Sequence, residues 1–205
     1  MKNVLKKTAF SLMTVAALAS VAGCQTTKVS RVDTNTEVAL TDRWNATDSR
    51  LVSEEMIGDM LSFPWASDYE RQNPGQRPTV IIQRIRNKSH EHIAVETFAN
   101  DLKRAVIRSG RADFVAGGAE RDDIRAERKE QEFNARADTQ VAMGEETGAR
   151  FALSGSINSF VDSLGGDRVT SYQVDLKLID MLTNPEVWNG QKKIQKFQEK
   201  SSFGF

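Results

Sequence analysis

From Val169 to Asp180 the chain alternates: Tyr172, Val174, Leu176 and Leu178 stand at one parity, Ser171, Gln173, Asp175 and Lys177 at the other. Successive side chains of a strand point to opposite faces, so this segment predicts a strand with one face on a core and the other in water. Such a strand needs neighbours and a covering layer. Thr183-Asn184-Pro185 turns the chain, Val187 to Phe197 returns it, and Phe151 to Phe160 reads as the preceding strand. Three consecutive strands with short turns predict an antiparallel meander.

Upstream the period changes. Thr79 to Ile85 is β-branched and mostly apolar, which predicts a strand covered on both faces, and Arg86 to Glu91 follow as a loop. Val95, Phe98, Leu102, Ala105 and Val106 make one helical stripe that stops at Gly110, a good residue for leaving a helix. Ala112 to Val115 is a short second strand, so this strand–helix–strand unit predicts a right-handed parallel crossover. Earlier, Leu51, Val52, Met56, Met60 and Leu61 repeat at helical spacing, with Asp48 or Thr47 as N-cap and Pro64 as the stop. The stretch to Pro78 contains Asn73-Pro74-Gly75 and reads as turns. Residues 120–147 read as charged helix, with Phe133, Val141 and Met143 the candidates for burial. The predicted class is α/β: a mixed sheet with a parallel strand–helix–strand unit, then an antiparallel three-strand meander, with helices packed on it. No period of 20–50 residues repeats, which excludes solenoids and propellers.

Lys2, Lys6 and Lys7 precede an apolar run from Ala9 to Ala22, too short to span a bilayer but the length of a secretory signal core. It closes on Val21-Ala22-Gly23-Cys24, which resembles a lipobox. The resemblance implies cleavage before Cys24, with a diacylglycerol and an N-acyl lipid on that residue. The alternative is an ordinary signal with an incidental cysteine. Gln25 follows, where an aspartate would argue for retention in the inner membrane, so sorting to the outer membrane is expected. The predicted organisation is signal 1–23, lipidated tether 24–43 and globular domain 44–205. The segment 25–43 is rich in Thr and charge, with no sustained apolar period.

Cys24 is the single cysteine, so neither a disulfide framework nor structural thiolate zinc is possible. Removing residues 1–23 takes away three lysines and no acid, leaving 25 Lys and Arg against 28 Asp and Glu. That balance gives no footprint for nucleic acid. His90-Glu91-His92 could begin a metal site, but the chain has only two histidines and no further ligands at suitable spacing. The other reading makes it a helix start, with Ser89 as cap and Glu91 near the positive end of the dipole. Asp122-Asp123 and Glu145-Glu146 read as solvated surface. Gly117-Gly118 and Gly165-Gly166 lack the continuation of a phosphate cradle and read as turns. There is no Gly-x-Ser-x-Gly elbow. Nothing here predicts an enzyme, a metal or a cofactor beyond the lipid on Cys24.

Arg86-Asn87-Lys88-Ser89-His90-Glu91-His92-Ile93, directly after an Ile-rich strand, resembles the Asn-Arg/Lys-Ser/Thr-x-Glu-His-Ile segment of the LpoB-type lipoproteins. Arg43-Trp44-Asn45, Phe151-Ala152-Leu153-Ser154-Gly155 and Trp188-Asn189-Gly190 agree in order and spacing, so the likeness covers roughly residues 42–198. It implies a fold similar to the N-terminal domain of TolB. It also implies an outer-membrane lipoprotein that binds and activates a bifunctional penicillin-binding protein from the periplasmic side. The tether departs from the best-known members, being about 19 residues long without a proline. A second reading is a secretion-assembly lipoprotein of the curli type. A barrel subunit must turn apolar side chains to lipid, whereas the hairpin 169–197 is expected to expose Asp175, Lys177, Lys193 and Lys196. For the activator, Asn87, Lys88 and Ser89 are the candidate binding residues, because polar side chains on an exposed loop suit recognition. Asn87 could equally make the turn and Ser89 cap the helix, whereas Lys88 has no evident structural duty.

Overall fold

The computed structural model describes residues 30–33, 36 and 40–200. The signal segment 1–23, Cys24 and most of the expected tether lie outside the described residues.

Helix α1 (Ala46–Ser62) is capped by Asn45, two residues before Thr47 and three before Asp48, the expected caps. The Asn45 side chain accepts from the Asp48 amide at 3.1 Å, and the Asp48 carboxylate accepts from the Asn45 amide at 2.8 Å. Asp48 therefore closes a reciprocal capping box and is not the cap. Val52, Met56, Ile57, Met60 and Leu61 are buried, while Leu51 turns outward. Pro64 ends α1 and opens a second helix, α2 (Pro64–Gln72), where turns were expected. Proline fits the first helical turn, where no amide partner is needed. Trp65 anchors α2 by donating its ring N–H to the Met60 carbonyl at 2.6 Å and packing edge-on against Phe151.

Strand β1 (Thr79–Lys88) is longer than predicted and is covered on one face only. Val80 and Ile85 are buried, whereas Gln83, Arg84, Arg86, Asn87 and Lys88 are exposed. A register shift between Ile82 and Ile85 interrupts the ladder to the neighbouring strand. Helix α3 (Val95–Ser109) buries Phe98, Leu102 and Val106 and ends on Gly110 at φ 65°, as the stripe predicted. Strand β2 (Asp113–Phe114) pairs parallel with β1, as the crossover requires. Helix α4 (Gly118–Asn134) buries nothing. Phe133, Val141 and Met143 are 74%, 50% and 52% exposed, against the expectation of burial, and the helix stops at Asn134. The segment is too polar for a core stripe and is held by charge: Arg125 and Arg128 both reach Glu146, at 2.8 and 3.2 Å.

Strands β3 (Phe151–Leu164), β4 (Asp167–Asp180) and β5 (Glu186–Gln198) form the antiparallel meander, and the sheet order is β2-β1-β3-β4-β5. Gly165 and Gly166 make the tight β3–β4 turn with φ of 65° and 104°, a backbone that side-chain-bearing residues rarely adopt. Tyr172, Val174, Leu176 and Leu178 are buried. They share one core with α1 and α3, and the other side of the sheet is mostly open, with Ala152 buried there. The unit beginning at Glu37 carries its own core, with buried side chains from Asp42 to Trp188.

Candidate partner-binding face

Level with the end of β1, the open side of the sheet is polar across four strands. The pairing brings Arg86 beside Ser156, Ser156 beside Asp175 and Asp175 beside Gln191. The Asp175 carboxylate accepts from Gln173 and Gln191 at 3.0 Å and from Asn158 at 3.2 Å, so its oxygens are bonded by side-chain amides. A groove of about 710 Å³ crosses this face, lined by Arg84, Arg86, Lys88, Ser156, Asp175 and Lys177 among others. Among the described residues, Arg84, Arg86 and Lys88 have no side-chain hydrogen bond or ion pair. They form a row of free cations along β1, Arg86 and Lys88 on backbone paired with β3 and Arg84 in the register shift just before it.

The three expected binding residues divide at once. Asn87 and Ser89 work on the chain itself. The Asn87 side chain donates to the Glu91 carbonyl at 2.8 Å and accepts from the Ser89 amide at 2.9 Å. The Ser89 hydroxyl bonds both Asn87 and the Glu91 carbonyl. Neither caps α3, whose N-cap is Ala94 without a side-chain bond. Lys88 stands free and exposed at the end of β1, joined by Arg84 and Arg86, which the sequence reading left out. Their signal was the alternation Arg84, Ile85, Arg86, Asn87, Lys88, charged outside and apolar inside at Ile85.

Glu91 is no helix-dipole residue either. It lies under the segment that enters the fold, where its carboxylate accepts from the Trp44 amide at 2.9 Å and from the Tyr172 hydroxyl at 2.5 Å. The Trp44 ring packs edge-on against Phe98 and Tyr172. Burial, and then the Glu91 carboxylate, push the Tyr172 hydroxyl well above its ordinary range, so it stays a donor. Asp42, placed in the tether by the sequence, is only 8% exposed. It accepts from Thr170 at 2.5 Å and pairs with Arg168 at 2.9 Å. The Thr170 hydrogen bond, aided by Arg168, holds its carboxyl below the usual range against the opposing effect of burial. Lys196, expected on the solvent face, instead bonds the Arg43 carbonyl and Asp48. His90 meets Ser159 at 2.6 Å and Arg168 at 3.4 Å, while His92 is exposed. Among the described residues no three His, Cys, Asp or Glu are grouped to hold a metal.

The remaining motifs also have structural duties. A Cβ on Gly155 would overlap the Asp175 backbone oxygen and the Leu176 side chain, and one on Gly190 would overlap the Trp188 ring. The Trp188 ring N–H donates to Asp59 at 2.8 Å, tying β5 to α1.

No curated protein matches this chain. Among solved structures, the LpoB C-terminal domain from Salmonella enterica is 14% identical, covering 73% of this chain and 99% of that one with a TM-score of 0.43. Escherichia coli LpoB is 13% identical over 87% of both chains, TM-score 0.41. The PelC dodecamer from Paraburkholderia phytofirmans is 17% identical over 61% and 76%, TM-score 0.33. The family described as peptidoglycan-synthase activator LpoB matches residues 48–194, from the capping box of α1 to the middle of β5. The chain belongs to the LpoB family of peptidoglycan-synthase activators.

Proposed function

We propose that this protein stimulates peptidoglycan synthesis by binding a bifunctional penicillin-binding protein through the open face of its sheet. It works from the periplasmic side of the outer membrane, held there by lipid on Cys24. The row of unpartnered cations Arg84, Arg86 and Lys88 carries the reading. Charges with no internal partner are available to an acidic surface, and a sheet presents them with little ordering cost. The protein regulates and does not itself polymerise or cross-link. Among the described residues no helix is long and apolar enough to cross a membrane. The secretion-assembly reading has less support, because the groove face is lined by amides and charges rather than by a lipid-facing band.

The test is glycan polymerisation by a bifunctional synthase on lipid-linked precursor, with and without the domain. Lys88→Glu, and more so Arg86→Glu with Lys88→Glu, should lower the association rate and abolish stimulation, with melting temperature unchanged. Wild-type binding should weaken as salt rises. Stimulation that survives both reversals would remove this face from the interface.

A further inference from the structure

The β3–β4 hairpin outruns the strand beside it. Strand β1 ends at Lys88, opposite Asn158, but β3 continues to Leu164. At about 3.3 Å per residue the overhang is roughly 20 Å. Exposed apolar side chains gather on it. Phe160 is 63% exposed and Leu164 86%, and Phe197, opposite Val169, is 64% exposed on the same face. Val161 projects from the opposite face, 44% exposed. Phe160, Leu164 and Phe197 stand on the open side of the sheet, which no helix covers, so core packing accounts for none of them.

The described chain joins the fold at the same end. Asp42 is bonded to Thr170 and Arg168, next to the Gly165-Gly166 turn. About 17 residues separate Cys24 from Thr41, a span of at most some 60 Å when fully stretched. We propose that the hairpin tip is a lipid-contacting surface, which dips Phe160, Leu164 and Phe197 into the headgroup level of the bilayer that holds the anchor. The inference builds on the reading of Cys24 as lipidated, which keeps the tip within a short reach of that surface and so at high local concentration. Exposed apolar patches mark contact sites, and aromatic and leucine side chains favour the interface. The carboxylate of Asp162 lies on the same face between Phe160 and Leu164, which limits the contact to the interface. The overhang is also shorter than the strand length that spans a hydrocarbon core. The partner is thus a lipid surface met by a tip, distinct from the cationic groove on β1.

The test uses the chain lacking residues 1–24, which retains the whole core and no lipid. It is floated with vesicles of phosphatidylethanolamine and phosphatidylglycerol. Wild type should float; Phe160→Asp with Leu164→Asp should reduce the bound fraction at least tenfold with an unchanged melting curve, and Lys88→Glu should float like wild type. A bimane probe on Leu164→Cys should be quenched by bromine-labelled acyl chains, and one on Lys129→Cys in α4 should not. Flotation lost equally with Lys88→Glu, an unquenched tip probe, or dimerisation through the tip without vesicle binding would each overturn the proposal. Failure of Cys24 to incorporate palmitate in cells would sink the anchor reading alone, because this assay needs no lipid on the protein.

Discussion

Replacing Tyr172 by Phe removes one oxygen from a place where three bonds meet. The hydroxyl lies 2.5 Å from the Glu91 carboxylate, 3.0 Å from the Asp42 carbonyl and 3.1 Å from the Trp44 amide, in a residue 1% exposed. It has one proton to give, and the charged acceptor is the stronger, so the variant loses one charge-assisted hydrogen bond while its ring still fills the core. Such bonds contribute about 1.5–3 kcal/mol. We expect a loss of about 2 kcal/mol and, for a domain of this size, a melting temperature lower by about 4–8 °C. Glu91→Gln keeps an acceptor but loses the charge. The double variant should fall short of the sum of the singles, with a coupling of about 1–2 kcal/mol by denaturant unfolding. The bond also closes the entry segment, so native-state trypsin cleavage after Arg43 should rise about 30-fold for 2 kcal/mol of lost local stability. A coupling below about 0.5 kcal/mol, or cleavage that does not change, would refute the joint action of Tyr172 and Glu91.

Asp180 is held below the usual carboxylate range chiefly by its hydrogen bond to Arg150, and Asp42 by Thr170 and Arg168. Depressed native values mean stability that is full above the ordinary carboxylate range and lost as pH falls through the lowered values. Acid unfolding should therefore begin below about pH 4, and Asp180→Asn should flatten that limb in pH-dependent melting. Gly155→Ala should cost about 2–3 kcal/mol, because the new methyl must displace backbone at Asp175, and a loss under 0.5 kcal/mol would mean the strand yields freely. Cys24→Ser should incorporate no radioactive palmitate and leave an uncleaved precursor, and label on the serine variant would end the lipoprotein reading.

Periodicity carried the regular parts of this fold. The alternation of β4 and the stripe of α3 each satisfy one face against one core, so local pattern and final burial agree. Helix α2 was hidden because it rests on the core through Trp65, Ala66 and Tyr69 alone, and so short a stripe sets no sustained period. Residues 135–149 kept helical composition without a helix; bonds from Arg125 and Arg128 to Glu146, and from Gln140 and Val141 back to Glu132 and Gln131, order that segment beside α4. The candidate binding residues were half legible as free side chains. Lys88 stood out for having no structural task, whereas Asn87 and Ser89 carry side chains equally suited to recognition and to closing a turn. Glu91 and Asp42 could not be placed, since their partners Tyr172 and Thr170 lie 81 and 128 positions away. Lys196 was misplaced because counting parity from β4 says nothing about where α1 crosses β5.

Thr41 to Asn45 bond sideways to their neighbours, through Asp42 to β4, Arg43 to Lys196 on β5 and Trp44 to Glu91. A pull on the chain ahead of Thr41 is thus resisted by side-chain bonds to β4, to β5 and to the loop that carries Glu91. The backbone ladders of the sheet bear load only after those bonds give way. Releasing these five residues would free roughly 17 Å of chain while β3, β4 and β5 stay paired, so tension on the segment ahead of Thr41 would lengthen it before it could unfold the domain.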